Sequence, residues 1–199
     1  MSEMSFSTLA LGAALLGYLL GSIPFGLLLT KAAGLGDIRA IGSGNIGATN
    51  VLRTGRKGLA IGTLLLDGGK GAVAALAGLY LAGPDIALIA GVAAVLGHNF
   101  PVWLSFKGGK GVATTLGVLL ATAWPVGLLA IVTWLAIAGI FRISSLAALC
   151  ALALSPVFGW FLAGETHAIA YLILAIAGFM RHSANIQRLL KGQEPRIGK

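Results

Sequence analysis

The sequence predicts an all-α, polytopic membrane protein of about seven transmembrane helices, with its N-terminus outside and its C-terminus in the cytoplasm. Three observations carry that prediction. Only 10% of the 199 residues are charged, 57% are hydrophobic and the mean hydropathy is +0.94, whereas water-soluble chains carry roughly 25% charged residues. Apolar runs approaching the ~20 residues that a bilayer crossing needs recur along the whole chain. Finally, the positive charge falls almost entirely in alternate interruptions between those runs, the pattern of cytoplasmic loops.

The apolar runs cover about residues 7–30, 58–82, 85–104, 110–123, 125–141, 144–163 and 166–181. The first follows Glu3 with no basic segment before it, so it reads as a retained helix and not as a cleaved signal. The fourth is short and is divided from the fifth by Trp124-Pro125; merging the two into one kinked segment gives six spans. Charge favours seven. With the N-terminus outside, the inner segments (31–57, 105–109 with the start of the fourth span, 142–143 and 182–199) and their helix ends hold thirteen of the fourteen basic residues, leaving out only Lys70. The outer segments hold Glu3, Asp85 and Glu165 and no Lys or Arg. Such a chain has no room for a separate soluble domain, so residues 1–199 form one membrane-embedded unit. Its net charge of +8 is then an orientation signal before it is a sign of nucleic-acid binding. Cys150, the single cysteine, lies in an apolar run and reads as packing.

Three inner segments are chemically richer than linkers need to be. Gly42-Ser-Gly-Asn-Ile-Gly-Ala-Thr-Asn50 with Arg53 combines glycines, which let backbone N–H groups approach an anion, with directed donors on Ser43, Asn45, Thr49, Asn50 and Arg53. Gly42, Gly44 and Gly47 formally match a dinucleotide fingerprint, but with no βαβ unit around them that reading is discarded. The second segment is Gly97-His-Asn-Phe-Pro101 followed by Phe106-Lys-Gly-Gly-Lys-Gly-Val-Ala-Thr-Thr115. Gly108, Gly109 and Gly111 open a helix whose free N–H groups and dipole attract phosphate, with Lys107 and Lys110 beside them. Leu104 stands where a Walker A loop needs its first glycine, so nucleotide hydrolysis is not implied. His98 and Asn99 are candidate phosphate contacts, with an interfacial imidazole as the plain alternative for His98. In the third segment His182, Asn185 and Arg188 are three residues apart and share a face if the last helix runs on past the membrane. Glu194 either braces the basic loops or touches substrate.

The motif Gly-Gly-Lys-Gly occurs twice, at 68–71 and at 108–111. If the copies are alike, residues 58–66 are re-entrant; otherwise Asp67 and Lys70 lie inside a span, where ionisable groups are expensive and generally paired, and a structural pair is the expectation. There is no acidic cluster for Mg²⁺, no Cys/His set for zinc, no Gly-x-Ser-x-Gly elbow and no His with an acid five residues on. Residue types alone give anion-binding loops on one membrane face, without a metal, a nucleophile or an evident base. An organic-phosphate or anion transporter is the alternative, with Asp67 and Lys70 in a discontinuous-helix site.

Together with Gly21-Ser-Ile-Pro-Phe-Gly26, these segments closely resemble, from end to end, the bacterial acyl-phosphate-dependent glycerol-3-phosphate acyltransferases. The resemblance implies transfer of a fatty acyl group from acyl phosphate to the 1-hydroxyl of sn-glycerol 3-phosphate, the first acylation of phospholipid synthesis. It implies no cofactor, a place in the bacterial cytoplasmic (inner) membrane with the active site facing the cytoplasm, and a soluble acyl-phosphate-forming enzyme upstream. It implies that Ser43 and Arg53 handle the reacting groups and that Gly108, Gly109, Lys110 and Gly111 cradle glycerol phosphate. His182 and Asn185 complete the site, Glu194 supports the fold, and the acyl chain lies in a groove between spans.

Overall fold

The computed structural model describes residues 3–198, with side chains from Phe6 onward, so Lys199 and the Glu3 side chain, two of the charges used for orientation, lie outside the described residues. The described chain is helical. It runs through α1 (Glu3–Gly21), α2 (Phe25–Ala32), α3 (Ala48–Leu52), α4 (Lys57–Ala82), α5 (Pro84–Asn99), α6 (Val112–Thr122), α7 (Trp124–Phe141), α8 (Ser144–Leu162), α9 (Glu165–Arg181) and α10 (Ser183–Leu190). The first apolar run is one segment, Phe6–Ala32, broken between α1 and α2. Pro24, which has no N–H to give a helix, stands at the break.

Among the described residues five segments are long and apolar enough to cross a membrane: Phe6–Ala32, Lys57–Ala82, Pro84–Leu104, Trp124–Phe141 and Ser144–Leu162. Helices α9 and α10 add a sixth that bends by 66° at His182. The expected fourth span is the exception: α6 has 11 residues, a rise of about 16 Å against a hydrocarbon core of ~30 Å. It is nevertheless separate from α7, because the chain folds back at Ala123 so tightly that a Cβ on Gly127 would lie 2.6 Å from the Leu120 nitrogen. Similar tight hairpins join α4 to α5 at Gly83 and α8 to α9 at Gly164, both glycines with positive φ (94° and 93°). The segments therefore alternate in direction. The loops 33–56, 100–111, 142–143 and the tail gather at one end, and the three hairpins gather at the other.

Small residues hold the bundle together. Lipid supplies no hydrophobic drive between helices, so close backbone approach has to do so. Gly17 and Gly21 of α1 lie against the Ala90 and Ala94 carbonyls of α5, and Gly71 of α4 lies against the Thr114 carbonyl of α6. Where bulk is used it is central: Leu88, Val95, Val118, Leu119, Tyr171 and Leu174 form one buried cluster. The Tyr171 hydroxyl is satisfied at 2.8 Å by Thr122. Large exposed hydrophobics such as Leu15, Leu65, Leu135 and Phe161 line the outer helix faces.

The two Gly-Gly-Lys-Gly copies differ. The first is mid-helix in an unbroken α4, so the re-entrant alternative for 58–66 is excluded. Asp67 and Lys70 lie inside the helix and pair at 2.9 Å, as one turn of spacing allows. Gly68 and Gly71 serve packing: they press on Ala113, Thr114 and Gly117, the stretch that follows the second copy. The copies meet in space without sharing a structure.

Candidate active site

The first glycine-rich loop is organised by Asn50. Its Nδ2 faces the carbonyls of Ile38, Ile41 and Asn45 at 3.1, 2.9 and 2.8 Å, and its Oδ1 accepts from the Ser43 backbone N–H at 3.0 Å. At 2% exposure the amide is spent on the loop, which revises its expected place among the phosphate donors. Asn45 likewise turns inward, accepting from the Gly47 N–H. Gly42 and Gly44 adopt positive φ (57° and 70°), and a Cβ on Gly42 would press on Asn50 Oδ1 and the Arg53 side chain. Ser43, Thr49 and Arg53 stay exposed, with Ser43 Oγ and Arg53 Nη1 each donating to Asn50 Oδ1 at 3.3 Å. Arg39, upstream of the loop, is neutralised by Asp37 in a 2.6 Å ion pair. Thr49 reaches Ser144 at 3.2 Å and so ties the loop to the start of α8.

The second loop reverses part of the expectation. The N–H groups of Gly108 and Gly109 donate to the carbonyls of Asn99 and His98 (3.2 and 3.0 Å), so neither is free to cradle an anion. Their lack of side chains has a different cause: a Cβ on Gly108 would strike the His98 carbonyl and one on Gly109 the imidazole Nε2. His98 and Asn99 thus sit behind the turn, 4% and 0% exposed, which revises their expected place as phosphate contacts. Gly111, at φ +78°, caps α6. The N–H groups of Lys110 and Gly111 make no backbone hydrogen bond among the described residues, so the helix N-terminus keeps donors there. Lys107 is exposed at the loop's edge.

The tail folds over this turn. The chain bends by 66° at His182, so the condition on which His182, Asn185 and Arg188 would share a face, a last helix running straight on, is not met. His182 N–H is shared between the Gly178 and Phe179 carbonyls, and its Nδ1 lies 2.7 Å from Gly178 O. A carbonyl only accepts, so Nδ1 carries the proton and Nε2 is the acceptor edge. After the bend, Asn185 and Arg188 both reach Glu194, at 2.5 and 2.7 Å, and Ser145 donates to the same carboxylate at 2.7 Å. Asn185 also accepts from Lys110 Nζ at 2.6 Å. Glu194 is therefore a brace. Two residues without a functional signal in the sequence complete the frame. Arg181 donates to the Gly109 and Gly108 carbonyls (3.0 and 2.7 Å). Arg142, which reads as a topology charge, donates to Ile197 O at 3.1 Å while its own carbonyl accepts the Ile197 N–H at 2.6 Å. A basic residue in an inner loop looks the same in sequence whether it faces water or a carbonyl.

Electrostatics joins the three segments. Burial brings the Lys110 ammonium down to about 8, opposed by the Glu194 carboxylate and assisted by Arg188, Arg53 and Arg181. Three arginine charges and one carboxylate thus bear on the Lys110 ammonium. His182 falls to about 4, through burial first and then the charges of Lys110 and Arg181; it is a neutral imidazole near pH 7. Burial works against ionisation of Glu194, yet the hydrogen bonds from Ser145, Asn185 and Arg188 hold its carboxyl below the ordinary value. The surplus of positive charge where the three segments meet fits a ligand with phosphate groups.

A family model described as glycerol-3-phosphate acyltransferase matches residues 11–192. A glycerol-3-phosphate acyltransferase of Paramagnetospirillum magneticum is 69% identical over 94% of this chain and 92% of its own length. One of Rhodospirillum rubrum is 64% identical over 93% and 89%. Among solved structures, PlsY (YgiH), an integral membrane glycerol 3-phosphate acyltransferase, matches in its glycerol 3-phosphate form with a TM-score of 0.90 and 40% identity, covering 95% of this chain and 96% of that one. Its lysophosphatidic acid form matches with a TM-score of 0.88 and 38% identity, covering 95% of each chain.

Proposed function

The chain belongs to the glycerol-3-phosphate acyltransferase family, and from that premise we propose that it moves a fatty acyl group from acyl phosphate to the 1-hydroxyl of sn-glycerol 3-phosphate, releasing lysophosphatidic acid and phosphate. The observation that carries the reading is the gathering of cations at one turn: Lys110 bonds Asn185, which shares Glu194 with Arg188, Arg181 donates to the Gly108 and Gly109 carbonyls, and the charge of Arg53 bears on Lys110. Both substrates bring phosphate, and the excess charge suits two such groups at once.

In the proposed site Lys110 and the open N–H groups at the start of α6 hold glycerol phosphate, with Asn185 fixing the lysine. Ser43 and Arg53, exposed on the opposing loop, take the acyl phosphate. The glycerol hydroxyl oxygen bonds to the acyl carbon, the bond from that carbon to the phosphate oxygen breaks, and the leaving phosphate carries away the hydroxyl proton. Positive donors favour the charge that develops on the carbonyl oxygen and the leaving group, and holding the two substrates together supplies proximity. His182, with its acceptor edge near a pKa of 4, is a weaker base than phosphate at about 6, which favours the phosphate as proton acceptor. No metal or cofactor enters the scheme. In membrane terms we read seven segments with the N-terminus outside and this face toward the cytoplasm of the bacterial inner membrane, where a soluble enzyme that makes acyl phosphate can feed it.

Purified protein in detergent micelles, given acyl phosphate and labelled glycerol 3-phosphate, is expected to form lysophosphatidic acid without a second compartment, as a transporter would not. Arg53→Ala and Lys110→Ala are each expected to cut turnover by about 100-fold or more, the scale of lost transition-state donors. Near-normal activity in both variants, folded as judged by thermal melting, sinks these roles.

A further inference from the structure

Asp67, Lys70 and His98 are 2%, 3% and 4% exposed inside two helices, and none of the steps above uses them. We propose that this buried triad is a positioning device for the glycerol-phosphate half of the site, setting the turn that carries Lys110; the proposal rests on the acyltransferase reading. Its members line up from α4 through α5 to the turn, in close approach at 3.6 Å between Asp67 and His98 and in direct bonds elsewhere. Lys70 Nζ lies 2.9 Å from Asp67 Oδ1, donates to the Ile23 carbonyl at 2.7 Å and stands 5.6 Å from the centre of the Phe25 ring. It thereby fastens α4 to the Pro24 break between α1 and α2. Asp67 Oδ1 faces His98 Nδ1 of α5 at 3.6 Å. The other edge of that imidazole, Nε2, lies against Gly109 with no room for a methyl group, while the His98 carbonyl accepts the Gly109 N–H at 3.0 Å. The next residue is Lys110, held from the far side by Asn185, and the Gly109 carbonyl is held by Arg181.

A helix staple would need only the ion pair. The imidazole is not required to neutralise anything, yet its two edges lie between the carboxylate and the phosphate-side turn. Ionisable groups kept inside a membrane protein generally mark function, and outer supports of this kind decide how well the groups in contact with substrate are aimed.

The test is a split between the two substrates. His98→Gln, which leaves the ion pair intact, and Asp67→Asn are each expected to raise KM for glycerol 3-phosphate about tenfold, since small misplacements are costly. KM for acyl phosphate should change by less than about twofold, because the loop at Ser43 and Arg53 is not on this path. The double variant Asp67→Leu/Lys70→Met leaves no unpaired charge and is expected to melt near the wild-type temperature while keeping the raised KM. Recovery of both melting temperature and KM in the double variant would reduce the pair to a staple and overturn the proposal. So would an unchanged KM in a folded His98→Gln variant, or an equal rise in both KM values. If the wild-type protein itself makes no lysophosphatidic acid, it is the acyltransferase reading that fails.

Discussion

Lys110 is charged below about pH 8 and loses its proton above it, and that places a limb in the pH profile. Affinity for glycerol 3-phosphate is expected to fall as pH rises through about 8. A bound dianion favours the ammonium, so the limb in kcat should lie at higher pH than the limb in kcat/KM. Lys110→Arg, which stays charged, should abolish the limb, and a limb unmoved in that variant would exclude Lys110 as its source. His182 is neutral from about pH 5 upward, given its value of about 4, so an acid limb between about 5 and 7 belongs to phosphate. Such a limb should survive His182→Ala; its disappearance there would make His182 the base. At this scale the sequence conveyed residue type but not direction. Ser43, Arg53, Lys110 and Asn185 stood out because hydrogen-bonding side chains among glycines suit anions. Asn50, His98 and Asn99 stood out for the same reason and point inward. Arg181 and Arg142 gave no signal at all, since a carbonyl partner becomes visible only once the chain is folded.

Among the elements, the tail from Gly192 to Gly198 behaves as a strap. Arg142 grips it at Ile197, and Glu194 is delivered to Ser145, Asn185 and Arg188. Hydrogen bonds to a charged group contribute about 1.5–3 kcal/mol each, so Glu194→Ala is expected to lower the melting temperature by several degrees and to weaken turnover with it. The depressed carboxyl of Glu194 gives the sign with pH: its contribution is present above its ordinary 4.5 and is lost as pH falls through its lower folded value. Wild-type melting temperature should drop in acid, and Glu194→Ala should flatten that drop; an equal drop in the variant would place the acid sensitivity elsewhere. Arg142→Ala should produce a milder form of the same loss. The tail's anchor at the α7–α8 junction, 55 residues before Ile197, was not legible in the sequence. The Gly-Gly-Lys-Gly echo shows the same limit. One pattern became a packing surface inside α4 and the other a capped turn before α6, because the first continues a helix while the second follows the loop after Pro101.

For the whole molecule, the spans were the most legible feature, since twenty apolar residues between charges leave few alternatives to a membrane helix. Sidedness can be checked directly. With Cys150 changed to Ser, a cysteine at Asp85 should react with an impermeant thiol reagent on intact cells, and one at Gln193 only after permeabilisation. The reverse pattern would invert the orientation. The length of α6 was not legible, because Val112–Thr122 runs into apolar neighbours on both sides and only the fold shows where it stops. That shortness bears on the depth at which the proposed reaction takes place. If the far end of α6 lies at one boundary of the ~30 Å hydrocarbon core, a helix of 11 residues, rising about 16 Å, puts Gly111 and Lys110 about halfway across it, well below the opposite boundary. The water-borne partner descends to the oily one. A sixteen-carbon chain lifted into water would cost about 0.8 kcal/mol per methylene, roughly 12 kcal/mol in all, and a recessed floor avoids that ascent for the incoming donor and the finished lysolipid alike.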